Sequence, residues 1–454
     1  MRTLDTDICE IAQIIPAAGK ITCTKPLEGF HFGAGSSTES EFSVDMRAEV
    51  ALLSRNIKIV PSMEDMSHLL REPWSCRILV SDFFENDAEM THRTGSLNMD
   101  YVEVYKCGQK YTWKSAIRFE NARKAGSSVT NSAIYDALAP GIMIKQSSKI
   151  HLANNIVTNF AEHGIWVLDS MSIKLDNNWV FHVIENPILE PEMYNFFAWT
   201  GGITVSERNN AMTVINNIVA GTWHHGFHYV PMACNDPNPD FVFTNNLAHS
   251  ISGYGAIAMH VLNPCTEVKD FTAYKVTEAS IMLGSPSGIN RGKNLTAIDT
   301  HYGIGIHSAN GGDAEIIDSK IYGELSENMD CPPGSPCDHC MDAMGMVLNQ
   351  AAETAHEDRN MKSKMLPLFK ASGSMTGHAT YTNLEFINYK SSQKSCGATQ
   401  YAIKPYLQPD YTPFATFKNI KLTEVAHEAF TYIQDPLQDW ANPEDCVEFT
   451  CTGM

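Results

Sequence analysis

Several features are scarce or missing in this sequence, and each absence narrows its class. No stretch approaches the roughly 18 consecutive apolar residues of a transmembrane helix. The first residues, MRTLDTDICEIAQ, have no basic segment followed by an apolar one, so we expect no signal peptide there. Basic residues number 33 against 52 acidic ones, and the formal charge of −19 argues against a nucleic-acid partner. It permits cations, basic protein surfaces or neutral sugars.

Paired carboxylates and helical periodicity are also lacking. Polysaccharide hydrolases place two carboxylates about 5 to 9.5 Å apart, depending on mechanism. No Asp-Asp or Asp-x-Asp pair occurs in the strand-like segments, and Glu162, Asp169 and Asp176 lie near expected turns. Stretches with an apolar residue at every third or fourth position are scarce, which disfavours helices.

What the sequence contains instead is a repeated asparagine pair. The pattern apolar-x-apolar-x-Asn-Asn-apolar-(Val/Ala) occurs as IHLANNIV, IKLDNNWV, MTVINNIV and FVFTNNLA. The pairs are Asn154 and Asn155, Asn177 and Asn178, Asn216 and Asn217, and Asn245 and Asn246. The first asparagines of successive pairs are 23, 39 and 29 residues apart, which indicates a unit of about 23 residues that tolerates insertions.

This period favours a solenoid. Within each unit the apolar residues alternate, as in Ile150 and Leu152 or Phe241 and Phe243, which is typical of strands. We therefore predict an all-β chain folded as a right-handed parallel β-helix of the pectin-lyase type, with two or three short strands per rung. Rungs would stack about 4.8 Å apart, so equivalent asparagines would form a ladder of amide hydrogen bonds. We interpret the pairs as architectural rather than as a ligand site.

Glycines accompany the asparagine pairs at a fixed distance. Gly164, Gly226 and Gly255 each follow a second asparagine by nine residues, and Gly141 follows Ser132 in a weaker copy. The copy at Asn178 lacks this glycine. We predict that these glycines form turns.

Cysteine usage suggests the compartment. The chain has twelve cysteines, several of them in loop-like stretches such as MDCPPGSPCDHCMD, which favours disulfides and secretion. The sequon at Asn294 is compatible with glycosylation. The spacing of Cys331, Cys337 and Cys340 leaves a zinc half-site as an alternative, but we predict no metal and no cofactor. The disulfide candidates are Cys234, Cys265, Cys331, Cys337, Cys340, Cys446 and Cys451, of which Cys234 with Cys265 and Cys446 with Cys451 are reasonable pairs.

One segment carries a family resemblance. The stretch from Lys25 to Val60 contains Ala48-Glu49-Val50-x-Leu52-Leu53-x-Arg55-Asn56-Ile57 and resembles the end of the G8 domain in the fibrocystin and cell-migration-inducing-hyaluronidase families. YVEVYKCGQKY is similar to the first rung segment of those families. The resemblance covers roughly residues 20 to 260 and implies a parallel β-helix. The sequence departs from these families at Arg118-Phe119-Glu120, where they have His-Phe-His, and this departure argues against hyaluronan degradation.

The pattern along the chain predicts five regions. Residues 1–60 would form the end of a G8-like domain or an N-terminal cap, 61–97 an irregular connector, and 98–330 the β-helix. Residues 331–375 would be a Cys-rich, polar insertion, and 376–454 the last rungs with a C-terminal cap. A chain that is rich in cysteine but has no signal peptide of its own is expected to be a piece of a larger secreted or membrane-anchored protein. Any membrane contact would then be made by parts of that protein outside this chain.

Two functional hypotheses remain. The favoured one is a non-catalytic extracellular or cell-surface module that packs against other chains or binds glycans. The alternative is a polysaccharide-acting hydrolase or lyase, for which Arg118, Glu120, His163 and His225 are the residues to test. His225 shares its repeat position with His163 and Tyr254, and these could stack on one face. Convergence of the charged and imidazole side chains in one groove would favour the enzyme.

Overall fold

Three stacks of parallel strands make up the fold. The computed structural model describes residues 7–28, 44–61, 75–85, 90–109, 112–184, 201–206, 210–229, 241–259, 266–285, 289–308, 313–323, 343–348, 378–391, 400–405, 414–430, 446–447 and 450–452. Each strand pairs in parallel with its equivalent one rung away, as in Ile150 with Ile173 and Leu152 with Leu175. The predicted parallel β-helix is confirmed.

The first and second stacks follow each other directly in each rung. The first stack contains β7 (Asn98–Asp100), β10 (Ser127–Thr130), β13 (Ser148–Ala153), β16 (Met171–Asp176), β19 (Asn210–Ile215), β22 (Val242–Thr244), β29 (Asp313–Ile317), β32 (His378–Thr382) and β35 (Phe414–Lys418). The second contains β3 (Ile57–Ile59), β8 (Val102–Tyr105), β11 (Ala133–Ala137), β14 (Ile156–Ala161), β17 (Trp179–Ile184), β20 (Ile218–Thr222), β23 (Leu247–Ile251), β30 (Lys320–Tyr322), β33 (Glu385–Ile387) and β36 (Lys421–Thr423). Two longer strands, β25 (Thr266–Val276) and β27 (Ile289–Ile298), run through both stacks.

The third stack closes each rung. It contains β4 (Ile78–Val80), β9 (Ile117–Glu120), β12 (Ile142–Lys145), β15 (His163–Leu168), β18 (Gly201–Ser206), β21 (His225–Tyr229), β24 (Tyr254–Met259), β26 (Ala279–Ser285), β28 (Tyr302–Ser308), β31 (Ala343–Leu348) and β34 (Gln400–Pro405). One column of apolar side chains from each stack faces the interior and is fully buried. Examples are Val129, Leu152 and Leu175 from the first stack, Val157, Val180 and Val219 from the second, and Ile142, Ile165 and Ile203 from the third.

Short elements flank the solenoid. A hairpin of β1 (Ile11–Ile15) and β2 (Lys20–Cys23) encloses a 3-10 turn, Pro16–Ala18, and a second hairpin joins β5 (Phe83–Phe84) to β6 (His92–Arg93). One helical turn, α1 (His427–Phe430), follows the last rung. Strands β37 (Cys446–Val447) and β38 (Thr450–Thr452) form a hairpin whose second strand pairs antiparallel with β35. The C-terminal cap stays a prediction.

The region boundaries differ from the prediction in three places. Ile57–Ile59 pairs with β8, so a strand of the second stack lies inside the segment predicted as the end of a G8-like domain or an N-terminal cap. Ile78–Val80 pairs with β9, although residues 61–97 were expected to be an irregular connector. Ala343–Leu348 is a rung strand between β28 and β34, inside the predicted insertion. These strands have only three to six residues, too few to show a period in sequence.

The corner between the first and second stacks is made by the first asparagine of each pair. Asn154, Asn177, Asn216 and Asn245 all have φ between 52° and 59°, in the left-handed region. Asparagine tolerates this conformation better than most residues with a side chain. The same corner is built from Asn131, Asp270, Asn294, Asp318, Asn383 and Asn419.

The predicted role of the glycines as turns is wrong. Gly141, Gly164, Gly226 and Gly255 lie at or in strands of the third stack, and none is among the described glycines with positive φ. Register aligns Gly164 with Gly202, so the copy at Asn178 does have its glycine, displaced by the insertion. A Cβ on Gly164 would lie 2.3 Å from Val180 Cγ1 and 2.6 Å from Gly202 O. These positions are glycine because the neighbouring rung leaves no room.

We predict that Gly164→Ala destabilises the fold by at least about 2 kcal/mol, because the methyl group forces the rungs apart. The measurement is the urea unfolding midpoint followed by far-UV circular dichroism. Gly126→Ala is the matched control, since its Cβ would meet nothing closer than Lys149 O at 3.6 Å. Equal midpoints for the two variants would contradict the packing explanation.

Candidate functional site

The second asparagine of each pair forms a buried ladder. Nδ2 of Asn155 donates to Oδ1 of Asn178 (3.0 Å), Nδ2 of Asn178 to Oδ1 of Asn217 (3.0 Å), and Nδ2 of Asn217 to Oδ1 of Asn246 (3.1 Å). Each Oδ1 also accepts from the backbone N–H of the preceding ladder residue, and each Nδ2 also donates to a backbone carbonyl. Because the side chains are buried and satisfied by one another, they are not available to a ligand.

The ladder has a defined beginning and end. Ser132 precedes it, and its backbone N–H donates to Asn155 Oδ1 at 3.1 Å. Leu247 pairs with Thr272 on the next rung, so the residue opposite Asn246 is Phe271. Phe271 is buried in the core. The amide column therefore ends after four rungs.

The first asparagines form a second, exposed row. Asn177 Nδ2 donates to Asn154 Oδ1 (2.8 Å) and Asn245 Nδ2 to Asn216 Oδ1 (2.6 Å). The sequon residue Asn294 belongs to this row and donates from Nδ2 to Asp270 Oδ1 at 2.6 Å. Its side chain is exposed at a corner between rungs, and its glycosylation stays a prediction.

The candidate histidines lie on the outer face of the third stack. Register places His163, Gly201, His225 and Tyr254 in one column, as the repeat alignment indicated, with Gly201 between the two histidines. A Cβ on Gly201 would lie 2.3 Å from His225 Cδ2, so the imidazole fills the space that this glycine leaves.

A second column of the same face runs beside the histidines. Trp166, Thr204 and His228 occupy equivalent positions on β15, β18 and β21. His163 Nδ1 lies 3.0 Å from Thr204 Oγ1, the His163 and Trp166 rings are 4.6 Å apart, and the His225 and His228 rings are 5.1 Å apart. We call this group of five side chains, His163, Trp166, Thr204, His225 and His228, the imidazole face.

The imidazole face is almost inaccessible to solvent. His163, His225 and His228 are 2%, 1% and 5% exposed. Burial, reinforced by His228 and His224, lowers the pKa of His163 to about 3, and burial lowers the pKa of His228 to about 4. Both are therefore neutral at physiological pH, and in the described conformation a polymeric substrate could not reach them.

Arg118 and Glu120 lie on the same outer face but at another level. Arg118 is equivalent to Met143 and then to Trp166, two rungs on. Its guanidinium contacts Glu120 Oε1 at 2.9 Å and Trp113 O at 2.8 Å. This guanidinium, helped by Lys145, holds the pKa of the Glu120 carboxyl below its ordinary value. A general acid needs the opposite shift, so the arrangement is that of an ion pair.

The structure also reveals an extended segment whose role the sequence did not suggest. Residues 44–55, which we call the strap, run along the outside of the second stack. Glu49 Oε1 lies 3.0 Å from His249 Nε2, and that imidazole stacks on Tyr274 at 4.6 Å. At one end Met46 is buried against Tyr274, Ile298 and Tyr322.

Arg55 holds the other end of the strap. Its Nε donates to Asn131 O (2.9 Å) and its backbone N–H to Glu103 Oε2 (3.0 Å). Arg55 lies nine residues after Met46, and at about 3.3 Å per residue an extended chain covers about 30 Å over that distance. The rungs of β11 and β27 are six strand spacings of about 4.8 Å apart, which is also about 30 Å. The strap is therefore long enough to cross these rungs when fully extended. Glu49 and Arg55 both belong to the signature quoted above. In the structure the residues from Glu49 to Arg55 alternate between half-buried and exposed, but the exposed Val50 and Leu52 are apolar, so the sequence shows no matching polar alternation.

The strap also stabilises a buried carboxylate. Burial by itself would raise the pKa of Glu103, yet hydrogen bonds from the Tyr135 hydroxyl, the Arg55 amide and Lys58 hold it below its ordinary value. Glu103 is consequently charged and links the strap to the first rungs.

Among the described cysteines, two disulfides join Cys9 to Cys23 and Cys76 to Cys107, and the sequence pairing anticipated neither. Cys446 and Cys451 are directly opposite each other across the β37–β38 hairpin, a register compatible with the predicted pair. The other candidates, Cys234, Cys265, Cys331, Cys337 and Cys340, and the zinc alternative lie outside the described residues.

Within the described ranges, no three His, Cys, Asp or Glu side chains are grouped so that they could hold a metal ion. The helices found there are too short and too polar to cross a bilayer.

Comparison with known proteins agrees with this architecture. A family model described as "Right handed beta helix region" matches residues 90–180 and 115–266. Mouse fibrocystin is 30% identical over 279 residues, which is 60% of this chain and 6% of that protein. Human fibrocystin-L is 23% identical over 454 residues, covering 90% of this chain and 10% of that protein. The matches thus span a tenth or less of these relatives, and a G8 domain is not shown by them.

Similar solved structures are more distant. The catalytic domain of a GH87 α-1,3-glucanase in complex with nigerose has 10% identity and a TM-score of 0.38, over 86% of this chain and 68% of that one. Pectate lyase Pel9A has 11% identity and a TM-score of 0.29, over 80% of each chain. Likeness at this level says nothing about activity.

For the ladder, we predict that Asn178→Ala costs about 3 kcal/mol of unfolding free energy, because buried amides on both neighbouring rungs lose a partner. The control is Asn177→Gly, which removes an exposed amide but retains the left-handed corner, and should change the urea midpoint much less. A larger effect at Asn177 than at Asn178 would contradict a structural role for the buried column.

For the strap, Arg55→Ala should cost about 1 to 3 kcal/mol through the lost hydrogen bonds to backbone carbonyls, and should speed amide exchange in residues 44–55. The measurements are urea unfolding and hydrogen exchange read by mass spectrometry. Arg47→Ala is the control, since Arg47 pairs only with the exposed Asp45 and should leave both readouts unchanged. Unaltered exchange in Arg55→Ala would show that other contacts hold the strap.

Proposed function

We propose that this chain, a parallel β-helix protein similar to the fibrocystins, serves as a rigid, non-catalytic module of a larger extracellular or cell-surface protein. Its long outer faces would pack against other chains or bind glycans. The supporting observation is the state of the four candidate catalytic residues. Arg118 and Glu120 neutralise each other, while His163 and His225 are buried two rungs apart with Gly201 between them.

The proposed secretory location is supported by disulfide bonds. Two disulfides join described cysteines, and disulfides persist in oxidising compartments. Repeated hydrogen-bonded rungs also suit a spacer, because each rung contacts only its neighbours and the array extends without a larger core.

A second candidate, a polysaccharide-acting enzyme, is favoured by one observation. The four residues do share the outer face of one stack, which is the convergence that an extended sugar chain would need. Against it, Arg118 lies two rungs from His163 and four from His225, or about 10 and 19 Å along the axis.

The test is incubation of the purified chain with hyaluronan, chondroitin, pectin and neutral glycans, with binding and product size as readouts. We expect every polymer to keep its length. Shortening of any polymer that is lost in Glu120→Gln or His225→Ala, but kept in the exposed-residue control His378→Ala, would overturn the non-catalytic assignment. Binding without shortening would identify the glycan as the partner.

A further inference from the structure

The imidazole face contains three histidines that are almost completely buried. His163 and His228 are held neutral by their surroundings, and His225 lies against His228 at 5.1 Å between ring centroids. Protonation of His163 or His228 would place a charge where burial disfavours the charged form. Protonation of a second would add repulsion between like charges at short range.

The contacts of the face leave little room for the imidazoles to reach water. The His225 ring occupies the space above Gly201, within 2.4 Å of where a Cβ would lie. His163 is fixed by Thr204 Oγ1 and by the Trp166 ring. A charged imidazole could therefore be hydrated only if the strands β15, β18 and β21 loosened.

Other titratable groups surround the face. They are His224 in the turn before β21, Glu162 before β15, Tyr254 on β24, Glu278 before β26 and Arg118 on β9. His224 acts on His163 in the same direction as burial, whereas the carboxylates of Glu162 and Glu278 would favour a charged imidazole. For His163 burial is the largest influence, and it favours the neutral form.

We propose that the imidazole face is an acid-sensitive latch, which loosens the third stack around β15, β18 and β21 in mildly acidic solution while the first and second stacks stay folded. The direction follows from linkage. Histidines with a lowered pKa stabilise the closed form above their ordinary pKa of about 6.5, and this stabilisation is lost as pH falls below it. The buried amide ladder contains no titratable group and holds the first and second stacks together through the same range.

The size of the effect can be bounded. A histidine with a pKa of about 6.5 in the open form and about 4 in the closed form increases the opening constant roughly thirtyfold between pH 7.5 and pH 5. Two such histidines, if independent, would multiply these factors, and coupling between them would reduce the product.

The experiment is hydrogen exchange of the full chain at pH 7.5 and pH 5, corrected for the intrinsic rate at each pH. We expect exchange to accelerate at least roughly tenfold in Gly201–Ser206 and His225–Tyr229, with Asn210–Ile215 and Ile218–Thr222, which carry no titratable side chain, unchanged. The double variant His163→Gln/His228→Gln should lose most of the acceleration. The control His378→Gln, which changes an exposed histidine, should keep it.

Three results would overturn the latch. They are equal protection at both pH values, equal acceleration in all three stacks, and full acceleration in the double variant. If the double variant does not fold, titration of the wild-type histidines by exchange at imidazole C2 decides the question. Midpoints for His163 and His228 clearly below that of His378 support the latch, and midpoints at or above it refute it.

Discussion

The buried ladder amides are hydrogen-bonded to the equivalent amides one rung away and to the backbone of the neighbouring rungs. In Asn178, for example, the side-chain oxygen Oδ1 accepts a hydrogen bond from Asn155, and the side-chain nitrogen Nδ2 donates one to Asn217. A slip of one residue would turn the polar side chain to the other face of its strand and leave buried donors without acceptors. The ladder therefore specifies register as well as contributing stability, and the columns beside it inherit that register.

Each of the neighbouring columns is restricted to certain residue types by a different local requirement of the fold. The corner needs a left-handed residue, which the first asparagine supplies. The start of the third stack needs a residue without a side chain, because the next rung is too close at Gly164 and Gly202. The interior needs apolar side chains of similar size, such as Val157, Val180 and Val219. Insertions between β17 and β18 or between β21 and β22 disturb none of these demands, because the chain returns to the same column afterwards.

The outer surfaces carry the features that distinguish this solenoid from a bare repeat. The strap fastens several rungs from outside, joining Glu49 to His249 and Arg55 to the rungs of Glu103 and Asn131. On another side, the imidazole face buries three histidines, His163, His225 and His228. The strap surface is held by hydrogen bonds and apolar contacts, whereas on the imidazole face burial keeps His163 and His228 neutral at physiological pH.

The sequence by itself determined the solenoid, its strand-forming segments and the column shared by His163, His225 and Tyr254, because in a stacked repeat the spacing along the chain translates directly into neighbours in space. It also located Asn155, Asn178, Asn217 and Asn246, the residues that make the ladder. Only the tertiary structure decided that the glycines relieve packing rather than form turns, that Arg118 is tied to Glu120, and that the histidines are buried. It alone showed the strap, whose contact between Glu49 and His249 joins residues 200 positions apart. Such contacts follow no period, so they depend on how the completed rungs present their outer faces.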